Sequence, residues 1–188
     1  VAAAERRMNT GQRKPEIYSL WLMPEGTMAD RLQMLITNLS AKYKTPDFPP
    51  HVTLIGALNL PEANAIARTA QVAERIDPFG IQLGELAHLG QYFRCVFVKA
   101  NKTDVLMNAN SVARDVFRQQ NEEEYLPHLS LIYGALNSHT RQRIIQDIGN
   151  ELKIKFQVKE IHLYYTGATP KLWRRVARKS CGRRESSG

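Results

Sequence analysis

Cysteine is scarce in this chain, and neither copy is placed to hold a metal. Cys95 and Cys181 form no CxxC pair, and no histidine stands at the short spacing a zinc site uses, so no zinc site is expected. Cys95, flanked by Val96 and Phe97, reads as a buried thiol, whereas Cys181 lies in a Gly- and Arg-rich end and reads as exposed. No run approaches 18 apolar residues, which argues against a membrane-spanning helix. Val1 to Asn9 lacks the apolar core of a secretory signal. These features make a reducing, cytoplasmic setting the expectation. A GxxxxGK[ST] loop is missing, which argues against nucleoside-triphosphate hydrolysis, and no carboxylate cluster suited to magnesium is visible. The chain is therefore expected to need neither a metal nor an organic cofactor.

Apolar residues are ample. The 188 residues are 43% hydrophobic and 23% charged, which suits one globular domain and argues against wholesale disorder. The formal charge of +8 is concentrated at the ends. Residues 1–14 carry four basic side chains against one acidic, and residues 171–188 carry seven against one. Residues 15–170 hold 15 basic and 16 acidic groups, a net of −1. The expected layout is a basic N-terminal extension over 1–14, one domain over 15–179 and a basic tail over 180–188. Such ends can attract a polyanion through a screened field, or can simply solubilise the chain.

An internal repeat is the most informative feature. Residues 50–59 read Pro-His-Val-Thr-Leu-Ile-Gly-Ala-Leu-Asn, and residues 127–137 read Pro-His-Leu-Ser-Leu-Ile-Tyr-Gly-Ala-Leu-Asn. Allowing for one extra residue, Tyr133, the two differ only by Val for Leu and Thr for Ser. His51 and His128 stand in corresponding places, each after a loop and before a helix-like segment.

Periodicity and punctuation place strands at 16–23, 51–57, 79–88, 92–99, 128–135, 154–165 and near 172–178. Helices are expected at 27–42, 61–76, 104–119 and 139–150. The pattern is α+β. The repeat implies a bilobal arrangement: two pseudo-twofold-related lobes of antiparallel sheet, helices outside and a central cleft.

In a strand, residues two apart share a face. His51 and Thr53 therefore point away from Val52 and Leu54, and His128 and Ser130 away from Leu129 and Leu131. Two opposed imidazoles suit displacement at phosphorus, where one group removes a proton and the other supplies one. Thr53 and Ser130 can donate hydrogen bonds to the non-bridging oxygens. A purely structural face would use Val or Ile more cheaply than His and Thr in both copies. A cleft that binds nucleotide or RNA without chemistry is the alternative. His88, His139 and His162 read as structural or surface residues.

Paired His-x-[Thr/Ser] motifs resemble those of the two-histidine phosphoesterase superfamily. With Ile17-Tyr18-Ser19-Leu20-Trp21-Leu22-Met23-Pro24, Phe93-Arg94-Cys95-Val96-Phe97 and Tyr125–Tyr133, the chain is most similar to its plant and yeast type of cyclic nucleotide phosphodiesterase. The resemblance implies a bilobal α+β fold and metal-independent hydrolysis of a nucleoside 2′,3′-cyclic phosphate, or of the cyclic phosphate of ADP-ribose, to a 2′-phosphomonoester. An RNA end or a 2′–5′ linkage is the alternative substrate. The resemblance also implies that His128 is the base toward water and His51 the acid toward the departing 3′-oxygen. Tyr133 is implied to contact substrate, and Trp21 to stack on its base unless it is a core aromatic of the first strand. Glu122, Glu123 and Glu124, just before His128, would repel a long polyanion and so favour a small cyclic nucleotide or an RNA terminus. A monomer without membrane contact is expected.

Overall fold

The computed structural model describes residues 16–119, 123–167 and 169–182. The expected N-terminal extension and the last part of the basic tail lie outside these. Eight strands and four helices alternate: β1 (Ile17–Leu22), α1 (Gly26–Tyr43), β2 (Val52–Asn59), α2 (Glu62–Glu74), β3 (Phe79–His88), β4 (Val96–Ala100), α3 (Asp104–Phe117), β5 (His128–Ile132), α4 (Ser138–Ile148), β6 (Glu151–Val158), β7 (Glu160–Tyr165) and β8 (Arg174–Ser180). Every strand pairing is antiparallel, and the order across the sheet is β6-β3-β4-β5-β2-β1-β7-β8.

Instead of two separate lobes of sheet, the strands make one sheet with a thin centre. There β2 and β5 share a single residue pair, Val52 opposite Leu129, while the flanking pairings run over four to six. One wing, β3 to β6, is a contiguous stretch of chain set between the two parts of the other. β3 follows β2 in the chain but lies in the wing of β5, and the C-terminal β7 and β8 return to pair beside β1.

The expected strand at 154–165 is two strands, broken at Lys159. β6 is one edge of the sheet and β7 lies near the other, yet a single residue joins them. One residue bridges at most about 7 Å, whereas six strand spacings in a flat sheet would cover roughly 29 Å. The sheet must therefore curl until its edges approach at that end. Tyr92-Phe93-Arg94 also departs from expectation, forming a 3-10 turn ahead of β4 closed by the Arg94 amide on the Gln91 carbonyl. β5 stops at Ile132, because the extra Tyr133 leaves the strand for Gly134 at φ 158°.

The helices cover the outer face. Along α1, Leu32, Ile36 and Leu39 are buried at spacings of four and three, and Lys44 caps the helix in the left-handed conformation. Thr103 caps α3 by accepting from the Leu106 amide. Val52, Leu54, Leu129 and Leu131 are sealed beneath them, leaving the alternate residues of β2 and β5 on the inner face. Cys95 is buried as expected. Cys181 is only half-exposed and packs on the core, its thiol pushed up to about 11 by burial and by Glu160 and Asp77.

Leu129→Ala removes packing at the sole pairing that joins the wings. A loss of about 2–5 kcal/mol is expected, read in denaturant unfolding as a lower midpoint with an unchanged slope.

Candidate active site

The β2–β5 register makes the repeat into a site. Val52 is opposite Leu129, so one step either way sets His51 across from Ser130 and Thr53 across from His128. All four line a cavity of about 350 Å³ on the inner face, with Ser19, Trp21, Arg94, Tyr133, Thr166 and Trp173 among its other walls. Opposed side chains in an antiparallel pair lie about 5 Å apart and diagonal ones about 7–8 Å apart. His51 and His128 form such a diagonal pair, with their backbones that far apart.

Each imidazole is held in the same way. His51 Nδ1 is 2.6 Å from the Pro49 carbonyl oxygen, and His128 Nδ1 is 2.7 Å from that of Leu126. A carbonyl only accepts, so both Nδ1 atoms carry hydrogen and both Nε2 atoms present a lone pair. The intervening Pro50 and Pro127 restrict the preceding residue to extended backbone, which carries that carbonyl back toward the ring.

The surroundings are less symmetric. His51 is buried and stacks on Trp21, centroids 3.5 Å apart and planes 8° from parallel. Tyr164 stacks on the other side of Trp21 at 3.9 Å. Trp21 is buried, stacks with both His51 and Tyr164 and lines the cavity, so it is a core aromatic that also borders the site. His128 is half-buried and meets only the edge of Phe97, at 5.0 Å. Burial lowers the pKa of both, that of His51 to about 3, against the opposing pull of the carbonyl acceptors. His128 adds to the lowering at His51, and Arg94 adds to it at His128. In the empty cleft both rings are therefore neutral near pH 7.

Ser130 Oγ donates to the Phe93 carbonyl at 3.1 Å. Tyr133 is buried, stacks on Phe48 at 3.8 Å and reaches the cavity beside Ser130. Tyr125, immediately upstream of the second motif, donates to the Thr53 carbonyl at 2.9 Å and ties the two motifs together.

Sequence reading missed Arg94 and Trp173. Arg94 lines both this cavity and a neighbouring one of about 450 Å³. Its signal was a lone charge between Phe93 and Cys95, in a segment read as plain strand. Trp173 meets Trp21 at 5.5 Å in a T-shaped contact, at the start of a segment read only as a short final strand. Of the remaining histidines, His88 accepts from Arg141 at 3.2 Å, His139 borders a separate surface cavity, and His162 is buried. Among the described residues no cluster of three or more metal-ligating side chains occurs.

A family model described as the 2′-5′ RNA ligase superfamily matches residues 25–170, which include both motifs. The chain belongs to that superfamily. It is a two-histidine phosphoesterase, an enzyme related to an Arabidopsis thaliana cyclic phosphodiesterase that is 25% identical over 129 residues, covering 69% of this chain and 71% of the relative. Its fold is that of E. coli LigT, with a TM-score of 0.62 at 17% identity over 91% of this chain and 100% of the other. LigT crystallised with 3′-AMP gives 0.57 at 15% identity, over 90% and 99%. No helix among the described residues is long and apolar enough to cross a membrane.

The neutral, buried His51 has a consequence for stability. Its folded pKa lies below its unfolded one, so between about pH 6.5 and 3 the unfolded chain binds the extra proton. Stability is therefore full above 6.5 and declines as the pH falls through this window. Thermal unfolding should show that decline, and a His51→Gln variant should show a shallower one.

Proposed function

We propose that this phosphoesterase opens a ribose 2′,3′-cyclic phosphate at an RNA terminus to a 2′-phosphomonoester, using His51 and His128 as its acid and base. The observation that carries the reading is that both imidazoles commit Nδ1 to a backbone carbonyl, leaving Nε2 for a ligand, and line one cavity together with Thr53 and Ser130. A pseudo-twofold through the Val52–Leu129 pair would relate the two motifs, so that the cavity sits on its axis.

Water enters beside half-buried His128, whose Nε2 takes its proton as the oxygen bonds to phosphorus. The bond from phosphorus to the 3′-oxygen breaks on the far side, and the Nε2–H of protonated His51 supplies the proton that makes the 3′-hydroxyl. Both rings are neutral at rest, so the proton on His51 is acquired when the anionic substrate arrives, since an opposite charge within about 4–6 Å favours the charged imidazole. The Trp21 face against His51 further suits a cation there. Thr53 and Ser130 hold the non-bridging oxygens, Ser130 by turning its hydroxyl away from the Phe93 carbonyl.

The acidic run before His128 was expected to repel long polyanions and so to favour a small cyclic nucleotide or an RNA terminus. Within it, Glu124 is ion-paired with Lys102, which holds its carboxyl below the usual carboxylate range, and the Glu123 carbonyl accepts from Arg114. The match to the 2′-5′ RNA ligase superfamily supports the RNA terminus, and a free cyclic mononucleotide would react by the same steps.

His51→Ala and His128→Ala should each lower kcat by about 10²–10⁴, and the double variant by little more than the worse single one, since the two act as a unit. The assay is turnover of a 2′,3′-cyclic phosphate in EDTA, with phosphorus resonance of the product. Full activity in either single variant, or a 3′-phosphate product, would contradict the assignment.

A further inference from the structure

The basic C-terminal segment has a place in the sheet. Four of the seven residues of β8 are Arg or Lys, and this strand is an edge of the sheet. Pairing with β7 sorts them by face. Arg174 is opposite Tyr165 and turns to the helix side, where it pairs with Glu62 at 3.0 Å. Lys179 is opposite buried Ile161. Arg175 is opposite Tyr164 and Arg178 opposite His162. His162 in turn is opposite Trp21, and Tyr164 stacks on Trp21, so both arginines share the face that bears His51.

The chain also enters β8 directly from the cavity. Thr166, at the end of β7, and Trp173, just before β8, both line it. Exposed Lys171, cavity-lining Trp173 and exposed Arg175 alternate base, aromatic, base along the rim. Arg178 is 62% exposed at its side chain, with Glu160 at a loose 3.7 Å, and Arg175 has no ion pair among the described residues. Three strand spacings, roughly 14 Å, separate β2 from β8.

We propose that this face of β8, led by Arg175 and Arg178, is the track on which single-stranded RNA lies while its terminal cyclic phosphate occupies the cavity. The proposal rests on the RNA-terminus reading above. Cationic side chains interleaved with an aromatic fit a flexible polyanion whose phosphates need neutralising and whose bases need a flat surface. A charged edge strand also discourages sheet-to-sheet association, which is the competing reason for these arginines.

The test compares wild type with R175E/R178E, and with K153E/K155E on the opposite edge strand as a charge-matched control. Substrates are a cyclic mononucleotide and an eight-nucleotide RNA ending in a 2′,3′-cyclic phosphate. The β8 variant should keep its kcat/KM on the mononucleotide within about twofold. On the octamer it should lose about tenfold, mainly through KM, and the slope of log(kcat/KM) against log[salt] should flatten by about 1.4, or 0.7 for each of two phosphates. The control should change neither. R175Q/R178Q should show the same trend at smaller size and serves if the charge reversal disturbs folding. An octamer activity and salt slope equal to wild type would overturn the proposal and leave the arginines as edge guards. If wild type opens neither substrate, the RNA-terminus reading fails instead, and binding of an octamer with a free 3′-hydroxyl, measured by anisotropy, decides the track alone.

Discussion

Two short hydrogen bonds, from the imidazoles of His51 and His128 to carbonyls two residues upstream, fix how both rings are presented to the cavity they line. A histidine in a strand is ordinarily free to turn and to choose its tautomer. Here the Pro-His sequence removes both freedoms at once. The proline ring holds the preceding residue extended, and the carbonyl of that residue then meets the imidazole. What remains is one ring nitrogen committed to structure and one available to a substrate. Burial lowers the pKa of both rings and keeps them neutral near pH 7, so the charge on this lining is that of Arg94.

The curled sheet gives this pair its cleft. A flat eight-stranded sheet would offer a surface, with both imidazoles in solvent. Because β6 and β7 are joined by Lys159 alone while lying six positions apart in strand order, the sheet has to bend. The thin β2–β5 junction is where it can do so with the fewest ladder bonds at stake. The same junction carries both motifs. The return of the chain holds the bend: β3 to β6 form one wing as a contiguous stretch, and β7 and β8 then come back to complete the wing of β1 and β2.

Much of the site was legible before the fold was known. Duplication of ten positions pointed to His51, Thr53, His128 and Ser130, and strand alternation put each pair on one face, which the structure brings to one cavity. The Pro in both copies was visible too, but its role required the carbonyl to be seen. Other features left little local trace. At Lys159-Glu160 the alternation slips by one, from Ile154, Phe156 and Val158 to Ile161 and Leu163, a trace too small to separate a break from a bulge in one long strand. Tyr92 and Phe93 are good strand formers, and only the tertiary contact from the Gly134 amide to the Tyr92 carbonyl shows why they turn instead. That the two sides of Trp21 are filled depends on β7, about 140 residues away in the chain. Likewise, three adjacent glutamates look like a negative patch until Lys102 is found beside Glu124.

A perfectly repeated site would be a poor acid–base catalyst, since two identical imidazoles would compete for one proton. The copies differ in surroundings more than in sequence. Trp21 flattens against His51 and, with Tyr164 behind it, excludes solvent from that ring, whereas His128 meets an aromatic edge and keeps access to water. The cation beside His128 is Arg94, which opposes a second positive charge there, while the group beside His51 is an indole face, which favours one. In the proposed assignment the proton goes to His51, where an indole face favours a cation and no guanidinium opposes it, and the anionic phosphate has to offset the desolvation that lowers the pKa of that ring. The extra Tyr133, which ends β5 early and stacks on Phe48, is where the duplicated halves begin to diverge.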